Sequence, residues 1–99
     1  MANYLVFCTF DLKHASAADY QSAYADLSSI GLKKVVAGDS GDVAVVPTTS
    51  VMGVYNAVSG PAAVSLATDA VKELFEKRGF QSEIFVTAGT DWAWRAAST

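Results

Sequence analysis

The sequence predicts one α+β domain, from its length, its composition and the spacing of its apolar residues. The chain has 99 residues, which is the size of one compact domain. It is 52% hydrophobic and 17% charged, far from the composition of a disordered chain. Its apolar residues follow a strand pattern in four segments and a helix pattern in two.

The first two predicted elements are a central strand and an amphipathic helix. Residues 4–10 (YLVFCTF) are rich in β-branched and aromatic residues with almost no polar alternation, which predicts a strand buried on both faces. Ser16 has the chemistry of a helix N-cap, with Asp19 three residues on, and Gly31 ends the helical pattern. The apolar residues that recur at helical spacing between them are Ala17, Tyr20, Ala23, Tyr24, Leu27 and Ile30.

The middle of the chain predicts two further core strands. Residues 32–36 (LKKVV) are β-prone and precede the turn-forming segment 38–42 (GDSGD). Residues 43–46 can pair as a hairpin arm, but Pro47 lacks the amide for a ladder and favours an edge or a bulge there. Residues 50–55 (SVMGVY) are therefore the better third core strand.

The last part of the chain predicts a second helix, a fourth strand and a tail. The helix starts at Ser59-Gly60-Pro61, with Pro61 at the first helical position, and closes at Gly79. Residues 82–88 form the fourth strand, and residues 90–99 form a strand-like tail with both tryptophans on one face. The predicted buried stripe of the helix is Val64, Ala67, Val71, Leu74 and Phe75.

This β-α-β-β-α-β order predicts a ferredoxin-like sandwich over residues 1–99, with an antiparallel four-stranded sheet and both helices on one face. The other sheet face is then uncovered, and its apolar content is costly for a monomer. We expect a homodimer that packs sheet on sheet or extends the sheet edge to edge. The tail of residues 90–99 is the expected dimer contact.

Composition and charge exclude several protein classes. No apolar run reaches the ~20 residues of a membrane span, and the N-terminus lacks the basic region of a secretory signal. One cysteine allows no internal disulfide framework and no cysteine-based zinc site. We therefore expect a cytoplasmic protein without membrane association. The net charge of −3 repels phosphate backbones, so binding of RNA or DNA needs a local basic patch or a bridging metal.

Asp11 is the first candidate for chemistry, because it ends an apolar strand where a carboxylate needs a hydrogen bond, an ion pair or a cation. One interpretation makes Asp11 a turn residue that accepts from the amides of Lys13 or His14. The other places two Asp11 side chains across a dimer axis, where their oxygens suit Mg²⁺ or Mn²⁺. The sequence leaves both interpretations open.

Lys33, Lys34, Trp92 and Trp94 are candidates for contact with a nucleic acid or another partner. The two lysines can contact phosphate, and strand alternation turns one of them outward. The tryptophans can stack on bases, as aromatic residues do in single-strand binders. They can equally anchor an interface with a partner chain.

Three stretches of the first third of the chain resemble a known group of proteins. They are Phe10-Asp11 at the end of the first strand, the helix positions Tyr20, Tyr24 and Leu27, and residues 30–35 (IGLKKV). Together they resemble the small CRISPR-associated dimeric nucleases and the related type V antitoxin endoribonucleases. The resemblance implies a ferredoxin-like dimer joined through the sheet, with Asp11 near the dimer axis. It also implies that the segment from Trp92 to Trp94 completes the neighbour's sheet.

Three functions remain open at the level of the sequence. The first is a dimeric, metal-dependent endonuclease that acts on RNA or DNA, with Asp11 as the catalytic and metal-binding residue and Mg or Mn as cofactor. The second is a non-catalytic dimeric binding or interaction module in which Asp11 is structural. The third is a small-ligand-binding dimeric α+β barrel, which requires a polar group that points into a cavity. The sequence identifies no such group.

Overall fold

The computed structural model describes residues 1–38, 41 and 43–99 of the chain, and the predicted turn residues Asp39, Ser40 and Asp42 lie outside the described residues. Within that range two helices and five strands form, so the α+β class is confirmed. In chain order the elements are β1 (Ala2–Leu12), α1 (Ala17–Ser29), β2 (Val35–Ala37), β3 (Val43–Val45), β4 (Ser50–Ala57), α2 (Gly60–Lys77) and β5 (Ser82–Gly89).

The main sheet has three antiparallel strands in the order β4-β1-β5, with β1 in the centre as predicted. The expected single four-stranded sheet is not seen, and the ferredoxin-like arrangement is not confirmed. The reason is that β2 pairs with β3 in a separate two-stranded sheet. The chain touches the outer edge of β4 at Lys33, which exchanges two backbone hydrogen bonds with Met52 (2.8 and 2.9 Å). It then leaves that edge to enter the hairpin of β2 and β3.

β1 buries one row of side chains and leaves the alternate row partly exposed. The buried row is Val6, Cys8, Phe10 and Leu12, which form one core cluster with residues of both helices. In the other row Leu5, Phe7 and Thr9 are half-buried and Asp11 is exposed. The expectation that this strand is buried on both faces is therefore wrong, because both helices pack on the same face of the sheet.

Local capping chemistry starts α1 where the sequence predicts. The Ser16 hydroxyl accepts from the Asp19 amide (3.2 Å), and the Asp19 carboxylate accepts from the Ser16 amide (3.0 Å). This reciprocal capping box satisfies two amides that the first helical turn leaves without partners. The helix closes at Gly31, whose φ of 84° is favourable only for glycine.

The second helix differs from its prediction in two details. Ser59 caps it, but Gly60 is its first residue and Pro61 its second. At the start of its buried stripe Ala63 is fully buried, whereas Val64 is only half-buried. Neither helix in the described part of the chain is long and apolar enough to cross a membrane.

An aromatic contact joins α2 to β1 in the core, and an ion pair joins the end of α2 to α1 at the surface. The Phe75 ring packs edge-to-face against Phe10, with ring centres 5.4 Å apart. At the surface the Arg78 guanidinium donates two hydrogen bonds to the Asp26 carboxylate, at 2.8 and 3.0 Å. These bonds lower the pKa of Asp26 and tie the end of the second helix to the first.

The C-terminal segment does not form the expected strand. Residues 90–99 contain neither helix nor strand. They begin directly after β5, whose last residue Gly89 pairs with Leu5.

We predict that Leu27→Ala and Phe75→Ala each lower the free energy of unfolding by about 2 to 5 kcal/mol, because each leaves a cavity in a closed core. Both side chains are at most 1% exposed. Urea denaturation followed by circular dichroism measures the change. Leu66→Ala is the control, since Leu66 lies on α2 but is 55% exposed, and it should change stability by less than about 0.5 kcal/mol. Equal losses in all three variants would contradict the assignment of the core.

Candidate functional site

The sheet face that points away from the helices, called here the open face, mixes apolar and acidic side chains. Phe85 on this face is 65% exposed and Val54 is also exposed. The register of the three strands defines its cross-strand rows, which are Val54, Leu5 and Gly89; Met52, Phe7 and Thr87; Ser50, Thr9 and Phe85; and Asp11 with Glu83. The acidic row therefore lies at one end and an apolar surface extends from it along β1.

Asp11 belongs to a small charged cluster at the acidic end. Its register partner is Glu83, and the Lys13 ammonium lies 3.9 Å from the Asp11 carboxylate and 3.5 Å from that of Glu83. The Tyr20 hydroxyl is 3.5 Å from Asp11 Oδ1. The amide of Lys13, which the turn interpretation assigned to Asp11, donates instead to the carbonyl of Gln81 (2.8 Å). A lysine thus occupies the position between the two carboxylates.

This cluster does not by itself make a metal centre. In residues 1–38, 41 and 43–99, no three His, Cys, Asp or Glu side chains are grouped so that they could hold a metal ion. The Asp11 and Glu83 side chains are 64% and 75% exposed. Mg²⁺ prefers an octahedral oxygen shell, usually with one or two carboxylates and several waters or substrate oxygens. Asp11 and Glu83 can supply the two carboxylates, and the other oxygens would have to come from elsewhere.

A groove of about 890 Å³ lies at the other end of the open face. Its lining comes from four parts of the chain. They are the main-sheet residues Leu5 and 52–54, the residues Gly31 and Lys33 after α1, residues 35–38 of β2 and its end, and residues 92–94 of the tail. Leu5 is six residues from Asp11 along β1, which is about 20 Å in an extended strand. The groove and the charged cluster are therefore separate sites on one face.

In the part of the chain that the structure describes, Lys33 is the one charged side chain that lines the groove. Its backbone pairing with Met52 puts it on the open face, because directly paired residues point to the same side of a sheet. Leu32 before it is fully buried on the helix side. Lys34 also turns to that side, where its ammonium lies 4.6 Å from the centre of the Tyr24 ring.

The structure therefore brings three of the four predicted partner-contact residues together. Lys33, Trp92 and Trp94 line the same groove, whereas Lys34 is directed away from it. Lys33 is a polar group at the groove, which is the kind of group that the small-ligand hypothesis requires. Strand alternation predicts that the two lysines face opposite sides, but the sequence alone does not say which side carries the groove.

Two glycines are in close contact where the turn after α1 meets β4. Gly31 and Gly53 both line the groove, and their backbones are in close contact. A Cβ atom added to Gly53 would lie 1.9 Å from the carbonyl oxygen of Gly31, far inside van der Waals contact. Gly53 therefore allows the turn after α1 to approach β4, and this approach places Lys33 beside Met52.

We predict that Gly53→Ala lowers the melting temperature strongly and displaces the segment around Lys33, because a backbone carbonyl occupies the space that the new Cβ needs. Gly89→Ala is the matched control, since nothing lies within 4 Å of a Cβ at that strand residue. Thermal unfolding of the two variants gives the comparison. A Gly53→Ala protein as stable as the Gly89→Ala protein would show that the close approach is absent.

Comparison of the chain with protein-family models, with curated proteins and with solved structures gives no match.

Proposed function

We propose that the protein is a homodimeric binding or interaction module that associates through the open face of its sheet. The observation that carries the proposal is the one-sided packing of the helices, which leaves Phe85 and Val54 exposed and Phe7 and Leu5 half-exposed. Burial of apolar surface stabilises by about 25 cal/mol per Å². Burial of the open face against the open face of a second copy therefore stabilises the dimer relative to the monomer.

The centre of the open face suits a two-fold contact. Phe7, Thr9, Phe85 and Thr87 lie between the charged cluster and the groove, and none of them carries a charge. A two-fold axis through this region brings the same surface of both subunits into contact. The surface then has to be complementary only to itself. The chain is then a ferredoxin-like variant in which the bridge at Lys33 takes the place of the second strand. The partner subunit covers the sheet face that the helices leave open.

A metal-dependent endonuclease that acts on RNA or DNA is the second candidate, and the pairing of Asp11 with Glu83 favours it. An axis near the acidic end would bring two such carboxylate pairs together, and this oxygen set suits Mg²⁺ or Mn²⁺. The cation would polarise a phosphodiester oxygen when bound. Asp11 is the residue that would hold it, and Lys13 is the competing cation that has to move away from both carboxylates first.

For the dimer, we predict a mass of twice 10.4 kDa in sedimentation equilibrium at micromolar concentration. Phe85→Ser should shift the equilibrium towards the monomer, because it removes a large apolar side chain from the contact. Leu66→Ser is the control, since it removes a similarly exposed apolar side chain from the helix side. A wild-type protein that stays monomeric as its concentration rises would falsify the proposal.

For the nuclease, we predict that Asp11→Asn abolishes Mg²⁺- or Mn²⁺-dependent cleavage of RNA or DNA and leaves the dimer intact. Asparagine keeps the shape of the side chain but removes the charge that binds the cation. Asp69→Asn, on the exposed side of α2, is the charge-matched control. Either metal should also raise the melting temperature of the wild type but not of Asp11→Asn.

If the wild type cleaves neither single- nor double-stranded RNA or DNA, and neither metal stabilises it, the nuclease is rejected. The dimer measurement does not depend on this result, so the first proposal is judged separately.

A further inference from the structure

We propose that the groove binds a small monoanionic ligand with a flat apolar body, and that Lys33 supplies the opposite charge. This site goes beyond self-association and beyond cleavage at Asp11. It shares Leu5 and Val54 with the open face on which the dimer proposal rests, and it adds residues of the hairpin and the tail that neither proposal requires.

The size and lining of the groove match a small-molecule site. Such sites have volumes of roughly 300–1,000 Å³ and mostly apolar walls with a few polar groups that fix orientation. The groove has about 890 Å³, and its walls are aliphatic and indole groups with Lys33 as the charged group. A ligand that fills part of this volume can bury its apolar body and leave its charged end at Lys33.

The charge of the ligand follows from Lys33 and its surroundings. Lys33 is exposed at the border of these apolar groups, and its ammonium attracts a negative charge that is held beside it. Among the described residues that line it, the groove has one cation, which complements one negative charge. A polyanion would have to place its other charges against a protein whose net charge is −3.

The shape of the ligand follows from the side chains that line the groove. Trp92 and Trp94 contribute two indoles from the tail, and Trp94 is half-buried although residues 90–99 form no regular structure. Val35, Val36 and Ala37 contribute further apolar groups to the lining. Indole faces favour stacking with flat rings, so an aromatic carboxylate or sulfonate is the class of ligand that uses both the indoles and Lys33.

The intrinsic tryptophan fluorescence of the chain can report ligand binding in the groove. It has two tryptophans, and both line the groove, so quenching of intrinsic fluorescence reports occupancy there. The probe is 1-anilinonaphthalene-8-sulfonate, which is monoanionic and aromatic. N-phenyl-1-naphthylamine is the matched neutral probe, because it has the same ring system without the sulfonate.

Lys33→Gln and Lys34→Gln form a matched pair of variants, since they remove the same charge at adjacent positions on opposite sides of the chain. We expect Lys33→Gln to weaken binding of the sulfonate about tenfold, as the loss of one charge-assisted contact does, and to leave binding of the neutral probe within about twofold. Lys34→Gln should change neither. The bridge of Lys33 to Met52 uses backbone atoms, so the fold is retained, and circular dichroism checks this.

Four outcomes would overturn the proposal. The first is no binding of the sulfonate by the wild type, and the second is equal weakening by the two lysine variants. The third is tighter, Lys33-dependent quenching by a single-stranded oligonucleotide, which would assign the groove to nucleic acid. The fourth is probe binding that disappears as protein concentration rises, which would show that a second copy fills the groove. Phe85→Ser should bind the sulfonate as the wild type does, and this separates the groove from the dimer proposal.

Discussion

The pairing of β1 with β4 on one side and β5 on the other is the interaction on which the rest of the structure depends. It fixes the alternation of β1, and thereby the row of side chains that meets the two helices. Cys8 in that row has no solvent exposure, and burial raises its pKa to about 11. The thiol therefore stays protonated and acts as a small apolar group of the core.

The packing of both helices on one face divides the molecule into a closed side and an open side. On the closed side apolar side chains pack into one core. The ion pair of Arg78 and Asp26 joins the two helices at the surface. On the open side the strand register decides which side chains become neighbours. It places Glu83 beside Asp11 at one end and Val54 beside Leu5 at the other. The charged cluster and the groove are thus consequences of the same register, about 20 Å apart along one strand.

The departure of the chain from the main sheet after Lys33 creates the groove. Val46 donates to the carbonyl of Lys34 at 2.6 Å, and β2 then pairs with β3 rather than with β4. A fourth full strand beside β4 would have continued the open face as a surface without this groove. The separate hairpin and the tail that follows β5 instead both contribute to the lining of the groove.

The sequence by itself determined the elements whose signals are local. Ser16 with Asp19, Ser59 with Pro61, and Gly31 locate the helix ends within one or two residues, because capping and left-handed turns depend on neighbouring residues. The apolar run of residues 4–10 predicted the central strand, and Pro47 favoured an edge or a bulge for the strand before it. The single sheet, the strand-like tail and the burial of β1 on both faces were predicted wrongly. Only the tertiary structure decided these features, the partners of Asp11, and which lysine joins the tryptophans. Each depends on the register between segments up to about 80 residues apart, such as Leu5 with Gly89, and long-range pairing is set by the packing of the whole core rather than by local preference.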